Sequence, residues 1–154
     1  KVFRNTKQIL QYINSLGYKV EVPKEIKDGA EVVRKIMQNR EEEIEYIKNN
    51  IGDNNIITIG ILAKDKNYLS EFEKQFGGNK NIFCLSLEES QGVEFDKVFI
   101  VGVEKNMFDV HGISDQIIPQ IKKIQKDLLY VALTRAMSEL YILGQCGLGE
   151  VVEF

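Results

Sequence analysis

Seven residues, Ile56-Ile57-Thr58-Ile59-Gly60-Ile61-Leu62, constrain the fold more than any other stretch of this chain. A strand with one wet face alternates apolar and polar residues, and this one hardly alternates at all. Such β-branched runs belong to strands covered on both faces, as in parallel sheets whose crossovers lay helices on either side. The flanking sequence supplies the helices. Thr6 to Leu16 places Ile9, Leu10, Ile13 and Leu16 on one helical face, with Thr6 as cap and Gly17 as stop. Glu41 to Asn50 repeats Ile44 and Ile47 on a charged helix closed by Gly52, and Lys66 to Phe76 reads as a helix ended by Gly77-Gly78. Further strands are predicted at Tyr18–Val22 (closed by Pro23), Ala30–Met37, Ile82–Leu87, Lys97–Val103 and Leu140–Leu143. Glu104 to Pro119 reads as loop, and a last helix is predicted to end near Met137. Strands separated by helical segments of about ten residues make βαβ units, so the fold class is α/β with a mainly parallel sheet flanked by helices.

A length of 154 residues suits a single domain over 1–154. With 44% hydrophobic and 28% charged residues the chain belongs among globular proteins. It has neither an apolar run near the roughly 20 residues of a membrane helix nor a leader-like start, so no membrane partner is expected. It opens on Lys1, not methionine, and is expected to be a fragment of a longer protein. Cys84 and Cys146 are too few and too scattered for a disulfide framework or a metal site, which points to a reducing, cytoplasmic setting. His111 is the sole histidine, which argues against a catalytic triad and against a His-rich metal site. The net charge is −3 with a pI near 5.3, and lysines interleave with glutamates. Such a chain does not hold nucleic acid alone. It supplies at most part of a groove.

Two segments carry candidate chemistry. In Asp127-Leu-Leu-Tyr-Val-Ala-Leu-Thr-Arg-Ala136, one arginine, Arg135, follows an uncharged run. Leu128, Leu129, Val131, Ala132 and Leu133 would anchor a buried helix and hold Arg135 at its far end. A guanidinium fixed in that way can neutralise charge on a transferring phosphoryl group. It also fits an ordinary core helix whose last turn carries a dipole-matching cation. The second segment, Ser86 to Gly102, places Gly92 between two strands, with Glu94 two residues later. There Gly92 suits close backbone approach or a positive φ. No GxxxxGK[ST] loop occurs, and no acidic pair follows an apolar strand as a magnesium site requires.

Ser86–Gly102 and Tyr130–Ala136 resemble motifs V and VI of the UvrD/Rep-type helicases of superfamily 1, and Val2-Phe3-Arg4-Asn5-Thr6 followed by Ile9 resembles their motif IV. Three motifs in the family's order span residues 2 to 136. The resemblance implies a RecA-like, P-loop-NTPase-type domain, the carboxy-terminal one of a two-domain DNA helicase in DNA repair. It implies that Arg4 and Arg135 are catalytic and approach the γ-phosphate, and that Glu94 and Gly92 contact nucleotide. Ser86, Ser90 and Gly92 would lie along single-stranded DNA, and Tyr130, Thr134 and Met137 would pack around Arg135. Asp127 would be a helix-start acid or a partner for a cation. ATP and Mg2+ would be held mainly by a missing amino-terminal half, so the fragment alone is expected to be inactive. Implied partners are single-stranded DNA or DNA junctions, the amino-terminal RecA-like domain and, in a variant reading, RNA polymerase. Relatives carry a histidine or another neutral group and a lysine before the glycine, where this chain has Glu88, Glu89 and Gln91. Carboxylates facing a phosphate backbone repel it, which favours either side chains turned away or the polymerase-directed reading. A nucleotide-free interaction module is the alternative from another class.

Overall fold

The computed structural model describes residues 4–152 and 154. Five strands form one wholly parallel sheet: β1 (Val33–Ile36), β2 (Ile59–Ala63), β3 (Ile82–Ser86), β4 (Phe95–Val103) and β5 (Ala136–Gly144), in the order β1-β5-β4-β2-β3. Helices α1 (Lys7–Ser15) and α4 (Ile118–Leu133) cover one face, and α2 (Arg40–Lys48) and α3 (Ser70–Phe76) cover the other. Side-chain alternation along β4 assigns the two cores. Val98 and Ile100 join Ile9, Ile13, Leu129 and Leu133 on one side, while Phe99 and Val101 join Ile47, Phe72 and Phe76 on the other. All five β2 residues are buried, as a strand covered on both faces requires. Gly60 interrupts that run because the Phe95 ring occupies the place of its side chain, 2.6 Å from where a Cβ would sit.

Several boundaries differ from those predicted. Tyr18–Val22 is not a strand, because the Asn14 side chain does the work of a neighbouring strand. Its Nδ2 donates to Val20 O at 2.8 Å and its Oδ1 accepts from Val20 N at 2.7 Å. The start of the 56–62 run also lies outside the sheet. Ile56 is 89% exposed, and Thr58 donates from both its backbone N and its hydroxyl to Asp96 Oδ2. The segment 66–76 divides into a 3-10 turn at Lys66–Leu69 and α3. Pro119 stands in the first turn of α4, where its missing N–H costs nothing. That helix stops at Leu133, and Met137 belongs to β5. Asp127 therefore lies well inside α4, paired with Lys123 at 2.9 Å, and is no helix-start acid. Cys84 is half-buried, and burial pushes its thiol up to about 11.

Candidate functional site

Parallel strands give the sheet an amino edge and a carboxyl edge, and the candidate residues divide between them. Arg135 occupies the two-residue link between α4 and β5, at the amino edge, not the last turn of a helix. Its Nε donates to Val131 O at 2.9 Å, its Nη1 to Val93 O at 3.4 Å and its Nη2 to Thr134 Oγ1 at 3.4 Å. Its carbonyl accepts from Phe95 N at 2.9 Å. Glu94 therefore lies between two residues that both bond to Arg135. On its other side, Glu94 Oε1 meets Arg4 Nη1 at 2.7 Å. Three residues from three separate segments thus share one corner. Val2 and Phe3, the rest of the motif IV resemblance, lie outside the described residues.

Glu94 does not stand at the mouth where doubly wound sheets bind ligands. That mouth is the carboxyl edge, whereas Glu94 directly precedes β4 at the amino edge. Beside it lies a shallow depression of about 460 Å3, lined by Arg4, Lys27, Thr58, Glu94, Phe95, Asp96 and Met137. The depression presents Arg4 and Lys27 as cations with hydroxyl and carboxylate groups beside them, a donor set suited to an anion carrying hydroxyls. Among the described residues Arg4 spends one N–H on Glu94, and its guanidinium carries five. Met137 lines this depression, and Thr134 is in direct contact with the Arg135 guanidinium.

Ser86 stands at the opposite edge, where β3 ends. Ser86 N donates to Glu89 Oε1 at 2.9 Å, and Glu89 N donates to Ser86 Oγ at 3.1 Å, a reciprocal pair that turns the chain. Ser90 is fully buried and its hydroxyl donates to Leu87 O at 2.6 Å. Its side chain is an internal brace of this turn, which corrects its reading as a contact along a strand of DNA. Gly92 adopts φ +82°, so the left-handed conformation anticipated from its place between strands is present. The Glu88-Glu89 problem is half resolved. Glu89 turns back onto Ser86 and Lys66, and its carboxyl is held below the usual range, chiefly by the Ser86 N–H, while Glu88 remains exposed.

One constituent of the corner was not anticipated. Asn5 is buried, and its Nδ2 donates to Thr134 O at 2.9 Å and Ala136 O at 2.7 Å. Asn5 lies within the stretch that resembles motif IV, but its role is not legible there, because its partners are main-chain carbonyls far along the chain.

Residues 73–145 match the family described as UvrD-like helicase C-terminal domain. Over those residues the chain is similar to that family. The match includes Ser86, Ser90, Gly92, Glu94 and Arg135, whereas Arg4 and Asn5 precede it. The ATP-dependent DNA helicase PcrA of Bacillus subtilis (strain 168) is 33% identical over 81 residues, which make up 53% of this chain and 11% of that protein. The chain thus spans about a tenth of the length of that relative. A solved structure described as the C-terminal domain of a possible DNA helicase from Lactobacillus plantarum WCFS1 superposes with a TM-score of 0.68 at 17% identity, covering 99% of this chain and 95% of that one. At that identity the likeness concerns the fold. It agrees with the RecA-like α/β architecture of five parallel strands between two helical layers. No helix among the described residues is long and apolar enough to cross a membrane.

Proposed function

We propose that residues 1–154 act as one domain, the carboxy-terminal RecA-like domain of an ATP-dependent DNA helicase of superfamily 1, within a longer protein. The observation that carries this reading is the meeting of Arg4, Glu94 and Arg135 at one sheet corner. ATP would supply the phosphoryl group, with Mg2+ held mainly by a partner domain. Arg4 and Arg135 would engage non-bridging oxygens of the terminal phosphoryl group with their planar forks. Glu94 would accept from hydroxyls of the nucleotide sugar and steer Arg4. Desolvation on closure of a partner domain strengthens each of these charges, so the corner is inert when open and effective when shut. Single-stranded DNA would run along the carboxyl edge, near Ser86, while Gly92, next to Val93, would approach the nucleotide at the corner.

ATP turnover by the full-length protein tests the reading. Arg135→Ala is expected to leave ATP binding largely intact and to lower turnover by about 10³-fold, the scale of an arginine finger. Turnover within a few-fold of wild type sinks the assignment. Exposed Glu88 favours a second reading, in which the motor acts on RNA polymerase instead of duplex DNA. Polymerase capture without duplex unwinding by the full-length protein would select it.

A further inference from the structure

The side chain of Asn5 reaches across more of the chain than any other contact at the corner. Its two carbonyl partners lie 129 and 131 residues away and flank Arg135 on either side. Both amide protons are therefore spent on the peptide groups that set the direction in which Arg135 leaves the main chain. The peptide groups of Arg135 itself are tied as well, its N–H to Ala132 O at 3.1 Å and its carbonyl to Phe95 N. Asn5 is itself anchored. The next residue, Thr6, caps α1 by accepting from Ile9 N at 3.2 Å, and Lys7 N donates to Lys27 O at 2.8 Å. The preceding residue is Arg4, paired with Glu94.

We infer that Asn5 is a positioning residue for both arginines: its amide fixes the backbone from which Arg135 projects and registers that backbone against Arg4. The inference rests on the phosphoryl-directed reading of Arg135 given above. The chemistry of the residue is specific. Aspartate has the same shape but would turn a carboxylate onto two carbonyl oxygens. Alanine leaves both carbonyls without their donor in a buried place, a loss comparable to two hydrogen bonds. Glutamine carries the same amide one methylene further out, past the point where it can bridge positions 134 and 136. Asn5 touches no reacting group, and its effect passes through Arg135.

A double-mutant cycle in the full-length protein separates positioning from general support of the fold. Wild type, Asn5→Ala, Arg135→Ala and the double variant are compared for kcat, KM for ATP and thermal unfolding midpoint. Asn5→Ala is expected to lower kcat by about 10²-fold, the scale of an ångström-level misplacement, with KM within about 3-fold of wild type. In the Arg135→Ala background the same substitution is expected to change kcat by less than about 2-fold, because residues that act as a unit are not additive. An equal factor in both backgrounds overturns the positioning role, and so does a wild-type kcat for Asn5→Ala. Unimpaired turnover of Arg135→Ala alone is a distinct result that overturns the reading of the site and this inference with it. If Asn5→Ala does not fold, Asn5→Gln, which keeps an amide donor but cannot bridge both carbonyls, takes its place in the cycle, and the same results support or overturn the role.

Discussion

At the amino edge of the sheet the Arg4 side chain is 67% exposed and Glu94 35%, and the Arg135 guanidinium is held by main-chain carbonyls and one hydroxyl. At the carboxyl edge Glu43 is 2% exposed and enclosed, its Oε1 accepting from Tyr68 Oη at 2.6 Å and its Oε2 from Gly102 N at 3.1 Å. There Lys66 Nζ is divided between Cys84 O at 2.7 Å, Glu73 at 3.1 Å and Glu89 at 3.4 Å. Gly102 adopts φ +69°, and a Cβ on it would meet the Tyr68 ring at 2.8 Å, so the Glu43 enclosure is shaped by backbone as well as by side chains. One edge keeps hydrogen-bonding capacity in reserve, and the other spends it on itself. Groups with unspent donors are the ones that can act on a ligand, whereas satisfied groups contribute to rigidity.

The sharpest way to break this contrast is to change cation geometry at each edge while keeping charge. Arg135→Lys is expected to lower turnover of the full-length protein nearly as far as alanine does, about 10³-fold, since an ammonium cannot reproduce the fork. Lys66→Arg at the other edge is expected to leave turnover within about 3-fold in the same assay, and equal losses at both edges would erase the distinction. Next in size is the pH response of Glu43. Burial pushes its carboxyl from 4.5 up to about 7, against the opposing donors Tyr68 and Gly102 and the charge of Arg40. The folded form keeps its proton over a range in which the unfolded form has lost it. The stabilisation is thus full below about 4.5 and drains away as pH rises towards 7. Relative to Glu43→Gln, whose amide can still accept from Gly102 and donate to the Tyr68 oxygen, wild type is expected to lose roughly 3 kcal/mol across that interval. Urea unfolding at pH 4.5 and pH 8 measures it, and parallel pH profiles for the two proteins would refute it. Glu94→Gln is the mildest test. It is expected to lower kcat/KM for ATP about 10-fold while moving unfolding free energy by less than about 1 kcal/mol, because the Arg4–Glu94 pair is exposed.

Much of this architecture is legible in the sequence because pattern and environment agree. The 56–62 run announces a doubly covered strand, Thr6 and Gly17 bound α1 as expected, and the strands at 82–87, 97–103 and 140–143 fall within a few residues of their predicted places. The departures share a cause, which is side chains standing in for main chain. Asn14 satisfies Val20 and Asp96 satisfies Thr58, so two apolar stretches that look like strand stay out of the sheet. The run from Leu128 to Met137 is apolar enough to serve as either helix or strand, and its division at Thr134-Arg135 is set by the Asn5 amide and by the pairing of Phe95 with Ala136. The amino-edge position of Glu94 was deducible. A residue just before a strand of a parallel sheet must lie at that strand's beginning, whatever ligand habit is associated with the opposite edge.

The register of β1 has a consequence for the order in which the molecule is made. Among the described residues Val33–Ile36 pairs with Tyr141–Gly144 and with no other strand, so this segment waits for one that is synthesised much later. Contacts of such sequence separation are costly to close and slow to form. Until β5 is synthesised, β1 has no place in the sheet, and Asn5 has no carbonyls to hold. The amino-edge corner is therefore among the last features to mature, and a chain stopped before residue 136 would carry both its own Arg4 and an unpaired strand edge open to misassociation.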